Sequence, residues 1–110
     1  MANYTLSIAE FEEIYNVNFA SKAPRVQNIE FSDDGTTVSH SLPFSPNTRL
    51  IRLATTAPCW IIVYPHTTDP STIVPGEENG IILLKTETET FNVRGFQKIA
   101  VKYSSEFGSV

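Results

Sequence analysis

Cysteine occurs once in this chain, as Cys59, and histidine twice, as His40 and His66. A single thiol cannot close an intramolecular disulfide, and no Cys/His cluster has metal-ligand spacing. No apolar run approaches the ~20 residues that span a bilayer. The opening residues, Met1-Ala2-Asn3-Tyr4-Thr5, lack the basic region and apolar stretch of a signal peptide, so the expectation is a chain made in the cytoplasm with no membrane partner. Glycine is also sparse: five residues, placed singly over turns, form no phosphate-cradling loop. Charge is scarce too, at 18% of residues against about 25% in an average domain. Either a partner covers uncharged surface, or a Thr/Ser-rich β surface is simply neutral. The net charge of −4 and the scattered cations argue against nucleic acid as a partner.

What is present is β-forming sequence. Within residues 48–64, two apolar, β-branched and aromatic runs flank a Thr55-Thr56-Ala57-Pro58 break. The run from Cys59 to Tyr64 has no charged residue, so both its faces should be covered. The stretch reads as a hairpin at the centre of an all-β domain, with Cys59, Ile61 and Val63 on the buried side. Trp60, Ile62 and Tyr64 share the other side, where Trp60 is either core or an interface anchor. The 110 residues suffice for one such domain.

The N-terminal part reads differently. Ser7-Ile8-Ala9-Glu10 matches a capping box, and Leu6 and Phe11 stand at the positions of a hydrophobic staple. Ile8, Phe11 and Tyr15 then follow at helical spacing. The expectation is a helix over 8–15, about two turns long and too short to be stable alone. Residues 16–24 carry no period and read as a linker. The expected organisation is an N-terminal arm with its helix, 1–24, followed by a β-domain, 25–110. Leu6, Ile8, Phe11 and Tyr15 are candidate docking residues, on an adjacent subunit or on the chain's own sheet.

From Val26 onward, alternating apolar residues and turn signals recur. Strands are expected over 26–31, 36–42, 81–84, 88–94 and 97–103, with a brief one at Ile73 and Val74. The turns are Asp33-Asp34-Gly35, Pro75-Gly76, Asn79-Gly80 and Gly95. Roughly seven or eight short strands at this spacing point to an antiparallel β-sandwich, or a barrel-like or jelly-roll-like domain.

Chemistry is thinly represented. His66 and Asp69 form a conceivable base-and-orienter pair, but no serine in a nucleophile-elbow context joins them. Glu12-Glu13 and Glu77-Glu78 read as solvated faces, and Cys59 as a buried thiol. The expectation is no catalytic residue, no metal and no cofactor.

The segments Thr48-Arg49-Leu50-Ile51-Arg52-Leu53, Ala57-Pro58-Cys59-Trp60-Ile61 and Ile73-Val74-Pro75-Gly76-Glu77-Glu78 carry a further pattern. With the ending Phe91-Asn92-Val93-Arg94-Gly95-Phe96-Gln97-Lys98-Ile99-Ala100-Val101, they resemble small virion proteins of tailed bacteriophages. The resemblance spans residues 48–103. It departs at Tyr64-Pro65-His66-Thr67-Thr68, where family members carry Gly- and Ala-rich residues, and at Arg94-Gly95-Phe96, where Pro-Gly is usual. It implies a non-enzymatic decoration, cement or staple protein on the capsid surface, with the major capsid protein and copies of itself as partners. A head-tail joining component, or a small carbohydrate-binding β-sandwich presenting Trp60, Tyr64 or Tyr103, is the alternative.

Overall fold

The structure, a computed structural model, describes residues 3–12, 25–85 and 87–105. It is all-β, with two antiparallel sheets of four strands. The strands are β1 (Asn3–Phe11), β2 (Arg25–Ser32), β3 (Ser39–His40), β4 (Leu50–Thr55), β5 (Cys59–Pro65), β6 (Ile81–Leu83), β7 (Thr88–Asn92) and β8 (Gln97–Tyr103). The first sheet has the order β2-β1-β4-β7 and the second β3-β8-β5-β6.

The expected N-terminal helix is not formed: Leu6, Ile8 and Phe11 lie on β1, an interior strand of the first sheet. β1 pairs with β2 along Asn3–Glu10 and with β4 along Leu6–Phe11. Two ladders of backbone hydrogen bonds outweigh a local capping preference, because a helix of about two turns has almost no stability of its own. The capping groups are used elsewhere. The Ser7 hydroxyl donates to Asn28 Oδ1 at 2.8 Å, and the Glu10 side chain turns into the protein. Period-two alternation was present all along: Tyr4, Leu6, Ile8 and Glu10 point inward, while Thr5, Ser7 and Ala9 point outward. Tyr15 and the expected linker, 16–24, lie outside the described residues.

The expected central hairpin is a corner between sheets. β4 belongs to the first sheet and β5 to the second, so residues 55–58 carry the chain across the core. Thr-Thr-Ala-Pro contains none of the positive-φ residues that close a two-residue hairpin. The Thr55 hydroxyl instead donates to the Ala57 carbonyl at 2.7 Å. Thr56 pins the corner to β1: its N–H donates to the Thr5 carbonyl at 3.1 Å, and its Oγ1 accepts from the Thr5 N–H at 2.9 Å.

Other boundaries moved for similar reasons. Of the expected strand 36–42 only Ser39–His40 pairs, with β8. Thr36 and Thr37 are instead drawn into the Asp34 turn, where their N–H groups donate to Oδ1 at 2.9 and 2.8 Å. Ile73 and Val74 form no strand; they follow a 3₁₀ turn at Pro70–Thr72 capped by Asp69.

One apolar core takes residues from both sheets: Leu6, Ile8, Ile29, Phe31, Ile51 and Leu53 from the first, and Cys59, Ile61, Leu83, Ile99 and Val101 from the second. Tyr4 of β1 stacks on Tyr103 of β8, with ring centroids 5.5 Å apart and planes within 11°. Residues 41–48 are held to both sheets. On the second, the Ser41 N–H donates to the Ile99 carbonyl and the Phe44 N–H to the Gln97 carbonyl, each at 2.8 Å.

On the first sheet the tie is Glu10, whose side chain is only 1% exposed. Its Oε1 accepts from the Ser45 N–H and the Thr48 hydroxyl, each at 2.8 Å. Its Oε2 accepts from Gln27 Nε2 at 3.0 Å and faces Arg25 Nη1 at 3.2 Å. Buried charge is tolerated here because every lone-pair direction meets a donor.

Replacing Glu10 with Ala strands those donors. We expect a loss of about 2–4 kcal/mol in urea unfolding, below the upper range for a broken buried pair because Arg25 is itself 42% exposed. A change below about 0.5 kcal/mol would show that the tie is replaceable by water.

Candidate functional site

The two sheets differ in what they turn away from the core. The outward positions of the first sheet are mostly small or polar. They include Thr5, Ser7 and Ala9 on β1, Asn28 and Glu30 on β2, and Thr88 and Thr90 on β7. Phe11, at one end, is 9% exposed and lies under the Arg52 guanidinium, 5.7 Å from its ring centroid.

The outward positions of the second sheet are apolar, with cations. Register places Trp60 between Lys102 on β8 and Ile82 on β6, Ile62 beside Ala100, and Tyr64 beside Lys98. His40 on β3 flanks Ala100 from the other side. Trp60, Ile62 and Ile82 are half-buried, while Ala100 in their midst is completely covered. No aspartate or glutamate occupies an outward position on these four strands. A β-surface facing water ordinarily alternates apolar-in with polar-out; this one keeps large apolar groups on both sides.

His40, Tyr64 and Lys98 form a connected group on that face. His40 Nδ1 lies 2.7 Å from the Tyr64 hydroxyl, and the rings meet edge to face at 5.8 Å. The Lys98 ammonium sits over the Tyr64 ring, 5.8 Å from its centroid. Burial, aided by the Lys98 charge, lowers the His40 pKa from its ordinary value near 6.5, and burial raises that of Tyr64. The neutral pair, joined by that hydrogen bond, is therefore favoured.

Of the residues proposed from sequence, Trp60 and Tyr64 take outward positions on this sheet, Trp60 half-buried and Tyr64 only 3% exposed. Leu6 and Ile8 are fully buried in the chain's own core, and Phe11 is covered by Arg52. Tyr15 lies outside the described residues. His66 and Asp69 are engaged separately. His66 meets the Phe96 ring at 5.5 Å, whereas Asp69 Oδ1 accepts from the Ser71 N–H and hydroxyl at 3.0 and 2.9 Å. Those bonds hold the Asp69 pKa below its usual value.

A groove of about 420 Å³ runs between β2 and residues 40–42. The Gln27 amide crosses it, accepting from the Leu42 N–H at 3.0 Å and donating to the Leu42 carbonyl at 3.2 Å. Among the described residues, no three His, Cys, Asp or Glu side chains group closely enough to hold a metal ion. No described helix is long and apolar enough to cross a membrane.

Sequence reasoning missed Ile82, His40, Lys98 and Lys102 as members of the face. The signal was available for β8, where Lys98, Ala100 and Lys102 alternate with Ile99 and Val101. It was not available for β3 and β6, whose neighbours are fixed only by long-range pairing. Comparison with protein-family models, curated proteins and solved structures finds no match to this chain.

Two measurements check this local chemistry. Cys59 is completely buried and its thiol is pushed up to about 12, so a thiol-specific disulfide reagent should react only as fast as the chain unfolds. Reaction at the rate of a free thiol in native buffer would contradict that burial.

His40 makes a pH-dependent contribution with a definite sign. Its folded pKa lies below the unfolded value, so the unfolded chain takes up the proton first as pH falls through 6.5. Stability should therefore decline between pH 7 and 5, levelling once the folded ring also protonates. Asp34 and Asp69, both depressed from 3.8, act only at lower pH. His40→Asn should flatten the urea midpoint across that window; an unchanged slope would contradict the assignment.

Proposed function

We propose that this chain is a non-enzymatic virion protein that binds the outside of a tailed-bacteriophage capsid and staples neighbouring capsid subunits. Its partners are the major capsid protein and further copies of itself, and its place is the capsid surface. The observation that supports this reading best is the contrast between the two outward faces: one mostly small and polar, the other an apolar sheet surface carrying lysines. The likeness of residues 48–103 to short phage virion proteins points the same way. Many copies on one shell make weak individual contacts sufficient, since each attachment raises the effective concentration of the next.

Within this reading the two sheets stack as a β-sandwich, with the Tyr4–Tyr103 pair closing the layers. Attachment is assigned to the second sheet rather than to an N-terminal clamp. Leu6 and Ile8 are already buried at home and have no surface to offer.

Co-sedimentation with empty shells of the major capsid protein encoded alongside this chain tests the proposal. The chain should pellet with shells, saturate at a fixed ratio, and raise the temperature at which shells come apart. Binding confined to the tail connector would replace it with a head-tail joining role. Binding to neutral glycans and not to shells would replace it with carbohydrate recognition through Trp60.

A further inference from the structure

The turn between β7 and β8 contains a residue whose conformation and exposure are both unfavourable. Phe96 has φ 67°, the left-handed region that a bulky side chain adopts only under constraint, and its residue is 47% exposed. It is the single non-glycine with positive φ among the described residues.

The constraint comes from the backbone around it. Gly95 passes so close to residue 46 that an added Cβ would lie 2.1 Å from the Pro46 carbonyl oxygen. The Phe96 N–H donates to the Phe44 carbonyl at 3.2 Å, and the Arg94 N–H to Gln97 Oε1 at 2.7 Å. None of these contacts uses the aromatic ring. Asparagine occupies the left-handed region more readily and needs no apolar cover. The ring does meet His66 within the chain, with centroids 5.5 Å apart, yet the residue stays 47% exposed, so folding leaves much of the ring without apolar cover.

Position supplies a reason for the ring. Phe96 immediately precedes β8, and His66 immediately follows β5, where Pro65 pairs with Gln97. Their rings meet at the end of the same two strands that carry Trp60, Ile62, Tyr64 and the two lysines. The exposed Phe96 and the half-buried Trp60 give this surface aromatic residues of the kind enriched in binding hot spots.

We propose that the outward face of the second sheet, with Phe96 at its end, docks a protein surface that is apolar at its centre and bears carboxylates at its rim. This rests on the capsid reading above and assigns the chemistry of the partner. The charge pattern selects that occupant. The outward positions of this sheet carry Lys98 and Lys102 and no acid, although the chain as a whole has net charge −4. A second copy bound face to face through a two-fold axis would set lysines against lysines, so a different, acidic surface is the fitting partner.

Two measurements on the full chain test this. In the first, isotope-labelled protein is titrated with anilinonaphthalene sulfonate, an anionic aromatic probe of the proposed chemistry. Shifts should concentrate on Trp60, Ile62, Ile82, Lys98 and Phe96, and weaken with salt. Shifts centred on the groove at Val26 and Leu42, or none, would overturn the assignment of the face.

In the second, shell binding is compared for wild type, Phe96→Asn, and the double variant Lys98→Glu with Lys102→Glu. Phe96→Asn should keep or raise the melting temperature yet bind shells at least about 10-fold more weakly; the charge reversal should weaken binding as much. Wild-type shell affinity in both variants overturns the docking face and leaves the capsid reading standing. If wild type itself ignores shells, the capsid reading fails, and the dye map alone upholds or overturns the face.

Discussion

The buried carboxylate of Glu10 is the constraint on which the joining of the two sheets depends. It sits on the inward face of β1, among apolar neighbours, where an unpaired charge would be prohibitively costly. Its partners come from β2 and from residues 45–48, the stretch leading into β4. That stretch follows residues already bonded to β8. One side chain thus joins the edge of the first sheet to the segment that leaves the second. Apolar contacts hold the two sheets together without direction, and this polar cluster adds a directional tie between the first sheet and the segment leaving the second.

The outward face of the second sheet and this tie make opposite uses of polarity. Inside, a charge is tolerated because it is completely paired. Outside, on the second sheet, large apolar groups are left half-covered, with lysines beside them. The His40–Tyr64–Lys98 group lies between these regimes: a neutral pair favoured by partial burial, with an ammonium above it. These contacts link β3, β5 and β8 across the surface of the sheet.

Much of the β-domain could be read from the chain, because its signals were local. Ile99, Val101 and Tyr103 alternate with Lys98, Ala100 and Lys102, and the strand follows. Gly95 was recognisable as a turn, although the close approach to Pro46 that requires it was not. What escaped was decided at long range. Ser7-Ile8-Ala9-Glu10 carries a helix start and a strand alternation at once, and only the ladders to β2 and β4 choose between them. The runs on either side of Thr55-Thr56-Ala57-Pro58 resemble a hairpin until β1 and β8 claim them for separate sheets. Trp60 and Tyr64 were legible as candidates for the site. Ile82 and His40 were not, since nothing in their own segments says which strand lies beside them.

The corner at residues 55–58 has a consequence for how the protein comes into being. Because β4 and β5 lie in different sheets, each pairs with distant sequence: β4 joins β1, made some 45 residues earlier, while β5 must wait for β8 (Leu6↔Thr55, Cys59↔Tyr103). During synthesis the uncharged run of β5 thus has no interior neighbour until the chain has been extended through Tyr103. A nascent or truncated chain ending before that point can pair Cys59–Ile61 with β6 but leaves the β8 side of Cys59–Pro65 as an open, aggregation-prone edge. Folding is consequently a late event in the life of the chain, completed only when its last described strand is inserted between β3 and β5.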